Sequence, residues 1–108
     1  MQKELKRGMN LAKLLRKYHA DFPPNGLAIF IEVSSSEGIS SSELVEKLGM
    51  PKATVSRNLR MLSDRATPTK EGMYLVTLRH DPNDYRVRRA YLTDKGRGFL
   101  LELLKALD

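Results

Sequence analysis

The tightest local constraint in this chain is Ser40-Ser41-Ser42-Glu43, followed by Gly49 and Pro51. A serine three residues ahead of a glutamate lets the Ser40 hydroxyl and the Glu43 carboxylate satisfy each other's free backbone N–H groups, forming a capping box. Ile39 before the cap and Leu44 after it can close a hydrophobic staple. The spacing predicts a helix over 41–48, with Leu44, Val45 and Leu48 turned inward. Gly49 supplies the permissive backbone conformation that ends a helix. Pro51, with its fixed φ, suits the start of the next one. That helix is expected from about residue 52 to 63, burying Val55, Leu59 and Leu62. A short capped helix, a glycine turn and a second helix over 39–63 outline a helix-turn-helix.

The flanking sequence builds around this unit. Leu5, Met9, Ala12, Leu15 and Tyr18 recur at helical spacing over residues 2–19. The run Asp21-Phe22-Pro23-Pro24-Asn25-Gly26 ends that helix, because proline lacks an N–H donor and restricts the residue before it. Residues 26–35 read as a second helix, although the dense run of Ile and Val leaves a strand as the rival reading. After Asp64 the period changes. Tyr74, Val76 and Leu78 alternate with Leu75, Thr77 and Arg79, as in a half-buried strand. Turn formers follow from His80 to Tyr85, and residues 86–92 alternate again, giving a β-hairpin over 73–92. Thr93 can cap a last helix over 94–107 whose apolar residues exceed one narrow stripe. The expected fold class is therefore mainly α with a small β-hairpin wing (α+β), in one domain spanning residues 1–108.

Charge is distributed unevenly. Residues 1–20 carry +5, residues 21–50 carry −4, residues 51–92 carry +5, and the last sixteen residues balance. The basic segment 51–92, which holds the second helix of the helix-turn-helix and the hairpin, is the footprint expected of a polyanion binder. The chain has no cysteine, which excludes disulfides, thiolate metal sites and a thiol nucleophile. His19 and His80 lack metal-ligand spacing and read as surface residues, His80 with a phosphate contact in view. Gly96-Arg97-Gly98 lacks the flanking strand that phosphate loops require. Asp81 and Asp84 share a solvated turn that offers no cleft for acid–base catalysis. No enzymatic activity, cofactor or metal is expected. No apolar run approaches a bilayer span, and the basic N-terminus has no secretory core. A cytoplasmic protein, bacterial, archaeal or phage-encoded, is the default expectation.

On the second helix of the helix-turn-helix, Lys52, Ala53, Thr54, Ser56, Arg57 and Arg60 can point outward while Val55, Leu59 and Leu62 point in. These are suitable types for reading DNA: Arg bridges guanine O6 and N7, hydroxyls reach bases or phosphates, and Ala or the Thr methyl touches thymine. The hairpin sharpens this. Asp81-Pro82-Asn83-Asp84-Tyr85-Arg86 precedes Leu92-Thr93-Asp94-Lys95-Gly96 by a short strand. Together with residues 43–57, this resembles the MarR family of winged helix-turn-helix regulators over about residues 39–98, and more loosely over the whole chain.

The resemblance implies a winged helix-turn-helix fold and a sequence-specific double-stranded DNA-binding transcriptional regulator, a repressor that occludes a promoter. It implies that Arg86 reaches the minor groove, that Asp84 braces it, and that Thr54, Ser56 and Arg57 face the major groove. Arg79, Arg88 and Arg89 can add phosphate contacts, with cross-strand pairing to neighbouring acids as the alternative. It also implies a homodimer built from residues 1–20 and 94–108. Leu5, Met9, Leu15, Phe99, Leu100, Leu103, Leu104 and Leu107 are the candidate interface residues, since contiguous apolar surface marks an interface. A small-molecule effector is left open, with no residue assigned to it. DNA partition, replication control or nucleoid organisation would use the same parts. A winged helix that only binds protein is the alternative from another class. The chain departs from the family pattern in three places: Pro51 stands where a capping Ser or Thr is usual, the stretch 63–72 is longer than the usual link, and the C-terminus is shorter.

Overall fold

Proline and the caps set the element boundaries. In the computed structural model, which describes residues 2–108, α1 spans Lys3–Tyr18 and α2 spans Pro24–Ser35. Pro24 occupies the first turn of α2, where its missing N–H costs nothing, so the helix begins two residues before Gly26. The Ile- and Val-rich run is helical, with Ile29, Phe30 and Val33 fully buried. Burial on one face overrides the sheet preference of its β-branched residues. Gly26 is itself buried, and a Cβ there would approach the Asn58 side chain to 3.3 Å, which is how closely α2 crosses the fourth helix.

A two-residue strand, β1 (Ile39–Ser40), leads into α3 (Ser41–Leu48). The capping box forms in full: Glu43 N–H donates to Ser40 Oγ at 3.1 Å and Ser40 N–H donates to Glu43 Oε1 at 2.9 Å. Ile39 and Leu44 are both buried beside it. Gly49 adopts φ 63°, in the left-handed region. Helix α4 spans Lys52–Leu62 with Val55, Leu59 and Leu62 buried. Pro51 is its N-cap residue, and it gives no side-chain hydrogen bond to the first turn.

The link after α4 contains a feature that the sequence pattern does not announce. Strands β2 (Arg65–Thr67) and β3 (Lys70–Glu71) form a small antiparallel ribbon. The chain leaving it runs back over the end of α4: the N–H groups of Met73, Tyr74 and Leu75 donate to the carbonyls of Met61, Ser63 and Leu62. Carbonyls that a helix C-terminus leaves open are thereby paired. Tyr74 has φ 58° and is exposed, and strand β4 begins only at Val76 (Val76–His80). The alternation expected from Tyr74 onward is displaced because Leu75, fully buried, belongs to this backbone tie rather than to a strand.

Strand β5 (Arg88–Leu92) pairs antiparallel with β4 and with β1, giving the order β1-β5-β4. Arg86 and Val87, expected in this strand, lie in the loop at the hairpin tip. Thr93 caps α5 (Asp94–Leu107) by accepting from Gly96 N–H at 2.9 Å. Phe99 is the hub of the core: its ring packs against Tyr18, Phe22 and Phe30 at centroid distances of 4.5, 5.7 and 4.8 Å. Helices α1 and α5 lie together. The Tyr18 hydroxyl donates to Glu102, whose carboxylate also takes Lys17 Nζ at 2.6 Å. Burial, then the Glu102 carboxylate, push the Tyr18 phenol up to about 12.

Phe99 and Leu103 correct an expectation. The apolar pattern places both at a dimer interface, but both are buried within the chain's own core, where α1 lies along α5 and Phe22 and Phe30 pack against the Phe99 ring. Leu15 and Leu100 are half-buried against the same core, whereas Leu5, Met9, Leu104 and Leu107 are exposed. The remaining part of that expectation, residue 1, lies outside the described residues. Among the described residues, no helix is long and apolar enough to cross a membrane.

Candidate nucleic-acid interface

Helix α4 buries Val55, Asn58, Leu59 and Leu62, and the remaining positions divide by helical geometry. Lys52, Ala53, Arg57 and Arg60 are exposed, while Thr54 and Ser56 are half-buried at the edges of the buried stripe. Arg60 Nη1 donates to Ser56 Oγ at 2.8 Å, so one turn of the exposed ridge is cross-linked. Asn58, which by type could read adenine, instead faces inward and donates from Nδ2 to the Thr54 carbonyl at 2.8 Å. The absent side-chain cap at Pro51 leaves first-turn N–H groups open at a positive helix end, where an anion is favoured.

One edge of α4 meets the wing. Ser41, Ser42 and Val45 of α3, Lys52, Ser56 and Leu59 of α4, and Leu78, Arg86 and Arg88 of the hairpin line a single groove of about 380 Å³. The N-terminal end of α4 and the arginine of the wing tip therefore share one side of the molecule. Ser41 and Ser42 were not anticipated here. Their small polar side chains in the first turn of α3 were the available signal.

The four hairpin arginines differ in what holds them. Residues paired across an antiparallel ladder share a face. His80 pairs with Arg88 and Leu78 with Ala90, so His80 and Arg88 share the face that ends in the groove. Arg79 pairs with Arg89 on the opposite face. Arg79 is exposed, with its guanidinium 4.7 Å from the Tyr91 ring centroid. Arg89 is committed inside the protein: it donates to Asp81 Oδ2 at 2.7 Å, to the Gly38 carbonyl at 2.9 Å and to Glu43 at 3.4 Å. These bonds tie the wing to the capping box, and they are the intramolecular pairing that the sequence left open for this residue. The Arg89 guanidinium, with the Asn83 N–H, holds the Asp81 carboxyl below its usual range.

Arg86 has 90 % of its side chain exposed, yet it is oriented. Its Nε donates to Asp84 Oδ1 at 3.1 Å and its Nη2 to Asp84 Oδ2 at 3.3 Å, while the Arg86 N–H donates to Oδ1 as well. This fork holds the Asp84 carboxyl below its ordinary value. Val87 N–H donates to the Asp84 carbonyl and Asp81 N–H to the Val87 carbonyl, which closes the tip.

The opposite edge of α4 presents Arg57 to a second cleft of about 460 Å³. The ribbon, including Lys70, walls it together with Tyr18, His19 and Lys95. Arg57 thus stands between the exposed ridge of α4 and this cleft, while Lys52 and Ser56 stand toward the wing. Among the described residues, no group of three or more His, Asp or Glu side chains could hold a metal ion.

No protein-family model matches the chain, and no curated protein sequence matches it. Solved structures do. A MarR transcriptional regulator from Methanosarcina mazei aligns over 91% of this chain and 63% of its own length, with 21% identity and a TM-score of 0.74. The YusO protein from Bacillus subtilis aligns over 95% and 66%, with 19% identity and a TM-score of 0.74. MepR of S. aureus, in a DNA complex, aligns over 94% and 75%, with 17% identity and a TM-score of 0.78. The fold is that of the MarR winged helix-turn-helix structures. The chain spans a little under two thirds of the length of the first two of these proteins.

Proposed function

We propose that this protein is a sequence-specific double-stranded DNA-binding transcriptional regulator, a repressor, that works as a homodimer. In this reading α4 enters the major groove and Arg86 enters the adjacent minor groove. The observation that carries it is the shared groove: Lys52 and Ser56 of α4 face Arg86 and Arg88 of the wing across one concave surface. A duplex laid against it would meet cations from both sides and the open helix N-terminus between them. A guanidinium on a narrow hairpin tip suits the negative potential of a narrow minor groove. The MepR neighbour, whose structure contains DNA, supports the same use of the fold. Arg89 and Arg79 drop out of the groove-facing set, because one is tied internally and both project from the other face of the sheet.

Fluorescence anisotropy with a labelled random-sequence duplex tests the reading. Affinity should rise steeply as salt falls, since neutralised phosphates release counterions. An affinity indifferent to salt would eliminate DNA binding and leave the protein-interaction role. Selection from a random duplex library then separates regulation from nucleoid or partition duties: an enriched inverted repeat is expected, with half-sites about one DNA turn apart. On the selected site, Arg57→Ala should cost about 1–3 kcal/mol of binding and relax preference at one base position. Equal losses on selected and random duplexes would contradict a base-reading role for Arg57.

The dimer rests on apolar surface left open where α1 and α5 run together. Leu5 is 62% exposed and Met9 47%, and on α5 Leu101, Leu104 and Leu107 are open as well. Surface of this kind is costly on a free monomer and is expected to meet its symmetry mate. Sedimentation equilibrium should return twice the chain mass at micromolar concentration. A Leu5→Glu, Leu104→Glu double variant should return a single chain mass while keeping its helical circular dichroism. A wild-type protein that stays monomeric would sink the dimer.

A further inference from the structure

We infer that His80 is a further DNA-contacting residue of the wing, and that duplex binding takes up a proton there. The inference rests on the DNA-binding reading above and adds to it a residue, an atom and a measurable proton.

The geometry fixes the tautomer. His80 Nδ1 lies 2.7 Å from the Tyr85 carbonyl oxygen. A carbonyl only accepts, so Nδ1 carries the hydrogen, and in the neutral ring Nε2 is a bare acceptor. The ring cannot turn away from this arrangement cheaply. It is stacked on the Tyr85 ring with centroids 3.9 Å apart and planes within 10°. Tyr85 is itself 75% exposed, so it serves as a backing plate rather than as core. His80 stands on the sheet face that also carries Leu78 and Arg88, two of the residues that line the groove.

The charged groups around His80 leave Nε2 without an acid. Asp81, the next residue, has Oδ2 engaged by Arg89 and Oδ1 by the Asn83 N–H. Asp84 is held by the Arg86 fork. Arg88 stands directly across the ladder on the same face, Arg79 belongs to the opposite face, and Lys52 lines the groove from α4. Among the described residues, Nε2 makes no hydrogen bond. A neutral Nε2 presents a lone pair to a phosphate and repels it. An imidazolium Nε2–H donates a charge-assisted bond to the same oxygen. A phosphate seated between His80 and Arg88 therefore selects the charged ring.

The test uses the full-length protein and a labelled random-sequence duplex at constant ionic strength. Wild-type affinity should tighten about three- to tenfold more between pH 8 and pH 6 than that of His80→Gln, whose side chain cannot charge. His19→Gln serves as the matched control, because His19 Nδ1 accepts from the Asp21 N–H at the end of α1, outside the groove that the wing lines, and it should keep the wild-type profile. Calorimetry at pH 7 in two buffers of different ionisation enthalpy should count a fraction of a proton, up to one per protomer, taken up by wild type and lost in His80→Gln. The wild-type count is read without reference to how the variant folds at the tip. Salt-dependent binding with superimposable pH profiles and equal proton counts would overturn the inference and leave the DNA reading intact. Absence of duplex binding at every pH would overturn both.

Discussion

Replacing Gly96 by alanine is expected to destabilise the fold by about 3 kcal/mol or more, enough to lower the thermal midpoint by roughly 12 °C or more. A Cβ on Gly96 would sit 2.0 Å from the Leu75 carbonyl oxygen, a distance no real Cβ tolerates. The obstacle is backbone, so it cannot rotate away. Leu75 is also pinned on both sides: its N–H donates to the Leu62 carbonyl at the end of α4, and its carbonyl accepts from Thr93 N–H at the start of α5. Making room for one methyl group therefore pulls apart the junction of α4, the wing and α5. Against a total stability of about 5–15 kcal/mol, this is a large fraction. Gly98 provides the internal comparison. It lies two residues on in the same helix with open space where its Cβ would be. Gly98→Ala should leave stability unchanged or raise it by about 0.5–1 kcal/mol, since alanine loses less entropy in a helix. Gly72 repeats the steric case at the ribbon, where a Cβ would lie 2.1 Å from the Ser63 carbonyl oxygen. Urea denaturation of the three variants decides the matter; a Gly96→Ala protein as stable as wild type would mean that the α4–α5 junction is looser than drawn.

These glycines also mark where sequence reading reaches and where it stops. Gly49 was legible because its φ of 63° follows from a local rule about helix ends. So were the boundaries of α3 and α5, since Ser40, Glu43 and Thr93 each satisfy backbone groups within three residues of themselves. Gly72 and Gly96 carry no such local signature: each is required by a carbonyl that arrives from another element. The ribbon at 65–71 was invisible for a related reason. Arg65-Ala66-Thr67-Pro68-Thr69-Lys70-Glu71 has no apolar alternation, because the hairpin is held by its backbone rather than by a buried face. Strand β1 was missed because two residues gain strand character only by pairing with Ala90 and Arg89.

The candidate site divides in the same way. Side-chain direction on α4 could be read from its 3.6-residue period, and the bracing of Arg86 by Asp84 lies within two residues. The fate of Arg89 could not, because Asp81 is close in sequence while Gly38 and Glu43, which complete its binding, are about fifty residues away. The apolar surplus of α5 showed that something beyond one stripe needed covering. It could not show that Phe99 and Leu103 are covered within the chain while Leu101, Leu104 and Leu107 stay open.

The largest effect on binding is expected from removing both groove-facing wing arginines. An Arg86→Ala, Arg88→Ala double variant should bind random duplex about a hundredfold or more weakly near 0.1 M salt, because each charge-assisted contact contributes about 1.5–3 kcal/mol. Its fold should be unaffected to within about 0.5 kcal/mol, since both side chains are exposed and neither supports the core. The salt dependence carries the sharper information. Each lost phosphate contact should make the logarithmic slope of affinity against salt shallower by about 0.9. A slope change near 1.8 would place both residues on phosphates, whereas a change nearer 0.9 with lost A·T preference would put Arg86 between the groove walls. Arg89→Ala removes one charge from β5 and should act mainly on stability rather than on contact with the duplex. It releases Asp81, Gly38 and the capping-box carboxylate, so it should lower stability and weaken binding only through a loosened wing. If the double variant keeps wild-type affinity and slope while Arg89→Ala loses both without unfolding, the duplex contacts the other face of the sheet. The groove between α4 and the wing would then not be the binding surface.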